Sequence, residues 1–144
     1  MAIKDNNVSM NLFRDKCKEH NLRITPQRTV IYKELHKSKD HPSADAIFRK
    51  ARKVFPNISF DTVNRTVLTF AKIGLVNVVE GCGGPKRFDS DTESHHHLRC
   101  IKCNRIIDFH NKDYDSMEIP DEIKNKFTVL RKRVCIEGVC SKCR

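Results

Sequence analysis

Two Cys-x-x-Cys pairs, Cys100-Ile-Lys-Cys103 and Cys140-Ser-Lys-Cys143, specify chemistry most directly through residue type and spacing. Each pair can present two thiolates to one metal from a tight knuckle. Two knuckles complete the closed tetrahedral four-sulfur shell that zinc takes in structural sites. The stretch between them is longer than zinc-ribbon spacing, so it must hold a strand, a helix and another strand. Lys102 and Lys142 lie next to the thiolates and offset part of their charge. A shell of four thiolates leaves no open coordination position, so this zinc stabilises and does not catalyse. A thioredoxin-type redox pair is the alternative for a lone Cys-x-x-Cys, and two pairs in one small segment favour the metal. Cys17, Cys82 and Cys135 have no paired spacing and read as ordinary thiols.

His95-His96-His97 lies on a predicted strand, where residues two apart share a face. His95 and His97 can therefore converge on one metal while His96 faces away, and Asp108 on the next predicted strand can approach the same side. Upstream, Asp89 leaves a predicted hairpin and His41 precedes Pro42 in a turn between helices. Imidazole with carboxylate suits Fe(II), Mn(II) or Zn(II), and the carboxylates pull toward iron and manganese. By spacing alone His41 also reads as a solvated turn residue and Asp89 as an exposed hairpin end. Nothing in the spacing joins His41 to His95. His20, His36 and His110 read as surface or packing residues.

The elements that must position these groups fall into two parts. An amphipathic helix over about 8–20 carries Leu12, Phe13 and Cys17. Thr25-Pro26 opens a second, with Thr25 capping and Pro26 at the first helical position; Val30, Ile31 and Leu35 give its buried stripe. Ser43 caps a third, with Ile47, Phe48, Ala51 and Val54 facing inward, ended by Phe55-Pro56-Asn57. Ser59 caps a fourth from Phe60 to Ile73, with Gly74 just beyond its end. On it Phe60, Val63, Val67 and Phe70 share one side, and Asp61, Asn64, Arg65 and Lys72 lie largely elsewhere. Leu75–Glu80 and Lys86–Asp89 read as a hairpin around a turn at Gly81-Cys82-Gly83-Gly84-Pro85. Helices followed by a basic hairpin form the pattern of a winged helix-turn-helix; a generic helical domain with a hairpin attached remains the bland alternative. The polar stretch Ser90–Ser94 marks a boundary. Beyond it, strands are predicted at about 95–101, 105–109 and 127–137, with a short helix between Pro120 and Lys126.

The chain has 144 residues with 28 Lys+Arg against 18 Asp+Glu, a formal net charge of +10. Such a balance favours a polyanionic partner without specifying it. No stretch approaches the roughly 18 apolar residues of a membrane span, and the opening MAIKDNNVSM has no signal-peptide core. The expectation is a soluble, cytoplasmic protein with no membrane partner. Seven cysteines in a reducing compartment point to metal or reactive thiols and not to a disulfide framework. Aromatics make up 7% with no Trp, which argues against a zinc-ribbon module that stacks single-stranded RNA. A metallohydrolase on a basic domain lacks a general base near an open zinc.

Several strings together resemble the ferric uptake regulator (Fur) family over nearly the full chain. Arg23-Ile24-Thr25-Pro26-Gln27-Arg28, His41-Pro42-Ser43-Ala44-Asp45 and Thr62-Val63-Asn64-Arg65-Thr66-Val67 are similar to its helix entry, helix junction and recognition helix. Arg87-Phe88-Asp89, His95 through Cys103 and Gly138 through Cys143 complete the set. The resemblance implies an α+β protein. A winged-helix DNA-binding domain at 1–89 would join a small α/β dimerisation domain at 95–144 through a hinge at 90–94. It implies a homodimeric, non-enzymatic transcription repressor of a double-stranded DNA operator, with structural Zn(II) on Cys100, Cys103, Cys140 and Cys143. It also implies regulatory Fe(II) or Mn(II) on His41, Asp89, His95, His97 and Asp108.

Within the family, aspartate at position 108 resembles the peroxide-sensing PerR type, in which Fe(II)-catalysed oxidation of a ligand histidine, here His41 or His95, releases the repressor. An iron- or zinc-supply repressor is the runner-up. Two departures stand out. Asn64 replaces the usual tyrosine of the recognition helix, and asparagine prefers adenine edges. Lys132 replaces a histidine that serves a third metal site in many members, which implies two metals per chain. Arg65 and Asn64 are the candidate base contacts, Lys72, Lys86 and Arg87 the candidate phosphate contacts, and Arg23 a candidate for an AT-rich minor groove.

Overall fold

A computed structural model describes residues 2–79 and 85–144, with side chains from Val8 onward. The chain forms two compact units, Met1–Thr92 and Glu93–Arg144, and the division falls inside the polar stretch 90–94. Of the turn expected over 81–85, residues 81–84 with Cys82 lie outside the described residues, as does Glu80.

Four helices and a hairpin build the first unit: α1 (Ala2–Glu19), α2 (Pro26–Lys37), α3 (Ala44–Ala51), α4 (Phe60–Lys72), β1 (Asn77–Val79) and β2 (Arg87–Asp89). The helix starts follow from side-chain capping of amides that have no intrahelical partner. Thr25 accepts from Arg28 N at 3.2 Å, Ser43 Oγ from Ala46 N at 3.2 Å, and Ser59 Oγ from Thr62 N at 3.1 Å. Helix α4 ends in a left-handed Gly74 (φ +83), with Leu75 N bonded to Phe70 O at 2.9 Å and Gly74 N to Ala71 O at 3.2 Å. Those two bonds satisfy carbonyls that the last turn leaves open.

Its core gathers Phe13 and Cys17 of α1, Ile31, Tyr32 and Leu35 of α2, Ala44, Ile47 and Ala51 of α3, Val63, Val67 and Phe70 of α4, and Phe88 of β2. Phe13 stacks on Tyr32 at 4.7 Å and meets Phe70 edge-on at 5.8 Å. Burial of each such large side chain contributes roughly 1.5–3 kcal/mol. Two inward expectations fail. Val54 is exposed because α3 stops at Ala51 and the helical period no longer governs it. Phe60, the first residue of α4, stays 45% exposed at the edge and touches Phe48 edge-on at 5.7 Å.

Strands dominate the second unit: β3 (His96–Cys100), β4 (Ile106–Phe109) and β5 (Cys135–Gly138), with α5 (Lys112–Asp115) and α6 (Asp121–Lys126) between β4 and β5. The sheet order is β4-β3-β5, antiparallel between β3 and β4 and parallel between β3 and β5. The strand expected over 127–137 pairs only from Cys135 on, because only there does the chain run beside β3; residues 127–134 have no ladder among the described residues. The four-residue α5 is an addition to the sequence reading. Among the described residues of this unit, the buried hydrophobic side chains are Cys100 and Ile106, accompanied by buried His95, His96 and His97. So few buried apolar groups cannot hold some fifty residues in a fold, and the unit needs another source of stability.

Candidate metal centres and nucleic-acid face

The first centre grows from two tight turns. Asn104 adopts a left-handed backbone (φ +61) and closes the Cys100–Cys103 knuckle with Asn104 N bonded to Cys100 O at 2.9 Å. Cys143 N bonds Cys140 O at 3.0 Å in the second knuckle, and Ile101 N reaches Gly138 O at 2.9 Å to hold the two side by side. One sulfur from each of Cys100, Cys103, Cys140 and Cys143 lies within 4.8 Å of every other. Cys103 Sγ and Cys140 Sγ are 3.9 Å apart, and a tetrahedral shell with Zn–S bonds of about 2.3 Å places sulfurs about 3.8 Å apart. Cys140 N donates to Cys100 Sγ at 3.4 Å. Amide hydrogen bonds from Cys103 and Cys140 hold the Cys100 thiol down at about 6, and neighbouring thiols push Cys143 up to about 12. Four sulfurs that share a space and resist bearing four negative charges together are suited to a divalent cation.

On the sheet, the β3–β4 register sets His97 directly opposite Asp108. Asp108 Oδ1 lies 3.2 Å from His97 Nε2 and 3.5 Å from His95 Nε2, and the two Nε2 atoms are 3.0 Å apart. Cis ligands of an ion with bonds of about 2.1 Å sit about 3.0 Å apart, so the spacing fits one shared cation. His95 Nδ1 is 2.7 Å from the Glu93 carbonyl, which can only accept. Nδ1 therefore carries the proton and Nε2 presents its lone pair, the arrangement that orients ligating imidazoles. Two imidazoles and one carboxylate on one face form the donor set that leaves further positions open on a non-haem iron.

His96 faces the other way, as expected from alternation, but it does not idle there. Its Nε2 lies 2.7 Å from Asp115 Oδ1, its Nδ1 accepts Val134 N at 3.0 Å, and its ring meets Phe109 and Tyr114. The interaction fastens α5 and residue 134 to β3. Asp115 has no sequence signature for this role.

Within the first unit, His41 and Asp89 form a second pair, with His41 Nε2 3.4 Å from Asp89 Oδ2 and both residues buried. His41 holds a left-handed backbone (φ +57), and Asp89 pairs with Asn77 across the hairpin.

Turning to the candidate nucleic-acid contacts, Arg65 is exposed on α4 and ion-paired with Asp61 at 2.8 Å, one turn earlier. Asn64 is half-buried beside it. Lys72 in the last turn of α4, Lys86 before β2, and Arg23 ahead of α2 are exposed, and the Arg23 carbonyl accepts from Arg28. Arg87 differs: its guanidinium turns onto the carbonyls of Asp40 and His41. No described helix is long and apolar enough to cross a membrane.

The sequence profile of the ferric uptake regulator family matches residues 19–136. The chain belongs to the ferric uptake regulator family. Members are metal-sensing repressors that bind DNA and are dimeric. Among curated proteins it is similar to the peroxide-responsive repressor PerR of Staphylococcus epidermidis, 38% identical over 123 residues, which span 85% of this chain and 82% of the relative. Among solved structures, the peroxide stress regulator of Campylobacter jejuni matches with a TM-score of 0.65 and 30% identity, over 88% of this chain and 95% of the other. The Fur of Helicobacter pylori matches with a TM-score of 0.78, over 95% of this chain and 92% of that one. At 22% identity that last likeness speaks for the fold alone. The α+β fold of this Fur-family chain therefore has its counterpart in known regulators, and its Cys100, Cys103, Cys140 and Cys143 cluster could hold zinc.

Proposed function

We propose that this chain is a peroxide-responsive, metal-dependent repressor in which His41, Asp89, His95, His97 and Asp108 hold a regulatory Fe(II) or Mn(II). The observation that carries the reading is the triplet of His95 just before β3, His97 on β3 and Asp108 on β4, whose donor atoms lie 3.0–3.5 Å apart. The His41–Asp89 pair offers the same donor types from the first unit. Aspartate at 108 and the likeness to the Staphylococcus epidermidis PerR favour peroxide over metal supply as the signal.

When bound, Fe(II) supplies the reductant for hydrogen peroxide at this site. The chain's own residues do the rest. Glu93 O fixes the His95 tautomer, so Nε2 presents its lone pair toward His97 and Asp108, where it would ligate a bound metal and lie next to the site of peroxide chemistry. His41 is the other candidate target. Ligands shared by the two units would restrict the hinge at 90–94. In a two-fold dimer that restriction sets the spacing of the α4 helices against half-sites about one DNA turn apart. Loss of one ligand histidine would release the metal, the restriction and the DNA. Differential metal affinity for the DNA-competent state is what the coupling requires.

A homodimer is supported by what the second unit leaves open. Leu98, Ile107 and Ile136 stand in one row across the three strands and are each about 40% exposed, and Leu130 is 91% exposed in a segment without a ladder. A second copy of this surface would cover that row. The duplex partner is supported by charge: 17 of the 28 Lys+Arg and 10 of the 18 Asp+Glu lie in residues 1–92, which carry α4 and the hairpin. Asn64 on α4 directs the reading toward adenine and away from the operator of tyrosine-bearing members.

The test is binding of an operator duplex, followed by fluorescence anisotropy, while Mn(II) is titrated into zinc-loaded protein. Wild type gains affinity with Mn(II). His95→Ala keeps its zinc and shows no Mn(II)-dependent gain; a gain equal to wild type would remove His95 from the ligand set.

A further inference from the structure

Residue types alone make Arg87 a phosphate contact, yet its guanidinium has other partners. Arg87 Nε donates to the His41 carbonyl and Nη2 to the Asp40 carbonyl. The strand reinforces the grip: Phe88 N donates to Pro42 O at 3.0 Å, and Arg87 forms a β-bridge with Ser43. Between those two anchors lies His41 at φ +57, a left-handed conformation that a non-glycine residue keeps only when its surroundings fix it. His41 Nε2 then stands 3.4 Å from Asp89 Oδ2. Asp89 lies two residues after Arg87 on the same strand, β2. One short strand thus supplies a carboxylate and also the clamp that fixes the backbone of its histidine partner.

We propose that Arg87 is a positioning residue for the regulatory metal, its forked guanidinium holding the Asp40–His41 backbone so that His41 and Asp89 form a preassembled two-ligand arm. The proposal rests on the reading that these two residues are ligands. The fork suits the task because two N–H groups in fixed planar geometry reach two successive carbonyls, whereas a lysine ammonium is a single point. The two nitrogens so engaged are not available to a phosphate. In this respect Arg87 differs from its neighbour Lys86, which is exposed.

The experiment uses the full-length, zinc-loaded protein with Mn(II) alone as probe, free ion being counted by electron paramagnetic resonance. Wild type, His41→Ala, Arg87→Lys and Arg87→Gln are compared, and amide cross-peaks of α2–α4 report folding. Loss of an outer partner of a metal ligand typically costs about 10–100-fold in affinity. Arg87→Lys and Arg87→Gln should each weaken Mn(II) by about that factor with the cross-peaks in place, and His41→Ala at least as much. Unchanged Mn(II) affinity in both Arg87 variants, with His41→Ala impaired, overturns the clamp and leaves the ligand reading standing. Unchanged affinity in His41→Ala overturns the ligand reading and the clamp with it. Collapse of the α2–α4 cross-peaks in both Arg87 variants also overturns the proposal, because Arg87 would then hold the unit together and not aim His41.

Discussion

Removing zinc should unfold residues 93–144 and leave residues 8–79 folded. The second unit buries Cys100 and Ile106 as its described apolar residues, and a fully buried aliphatic side chain contributes only about 1.5–3 kcal/mol. Its sheet is three strands wide and its outward apolar row is uncovered within one chain. The four sulfurs are the remaining large source of stability, and structural zinc on such sites is worth about 10–16 kcal/mol of folding free energy near neutral pH. Losing it exceeds the whole stability of many domains, about 5–15 kcal/mol. The first unit has a core drawn from four helices and β2 and owes nothing to those sulfurs. The perturbation is Cys140→Ser, or a strong chelator under reducing conditions. The assay is a residue-resolved amide spectrum with zinc quantified in parallel. Cross-peaks of 93–144 should collapse to the unfolded region, while those of α2–α4 keep their dispersion. A zinc-free protein with dispersed cross-peaks throughout 93–144 would refute the reasoning.

Zinc release on acidification follows from the Cys100 thiol. Its pKa is lowered from 9.0 to about 6 by amide hydrogen bonds, so the stability it contributes is fully present above about pH 9 and is lost as pH falls through about 6. A chromogenic chelator should therefore register more zinc release as pH is lowered from 9 toward 6, and release that does not rise on acidification would show that protons do not compete with the metal for these thiolates. On the DNA face, Arg65→Ala should weaken operator binding by about 1–3 kcal/mol, roughly 5–150-fold, and binding to random duplex much less. The same substitution breaks the Arg65–Asp61 ion pair, but an exposed pair of that kind is worth only about 0.3–0.5 kcal/mol to a helix. Equal losses on operator and random duplex, measured by anisotropy at matched salt, would reassign Arg65 to the phosphates.

Much of this was legible in the residues, for reasons of range. The Cys-x-x-Cys pairs bring sulfurs together through a single turn, so spacing alone carries them. Thr25, Ser43 and Ser59 cap helices through bonds to amides three residues on, and those starts appear where predicted. The β alternation that separates His96 from His95 and His97 is likewise local. What was hidden depends on distant backbone. Arg87 meets carbonyls 46 and 47 residues away, and a carbonyl leaves no trace in residue type. Asp115 finds His96 only because α5 folds back over β3. The pattern over 127–137 has strand character, but a ladder needs a neighbour, and the chain supplies one only from Cys135. Val54 shows the opposite error, a period carried past the point where its helix stops.

The central claim is that a ligand histidine of this Fur-family chain is the target of peroxide. The direct measurement is intact and peptide mass spectrometry after loading with Fe(II) or Mn(II) and a brief, low-dose exposure to hydrogen peroxide, with operator binding followed in the same samples. One added oxygen on His41 or His95 in the iron form alone, together with loss of operator binding, is the predicted result. Unmodified histidines and undisturbed binding in both forms would contradict it and make the protein a repressor that senses metal supply.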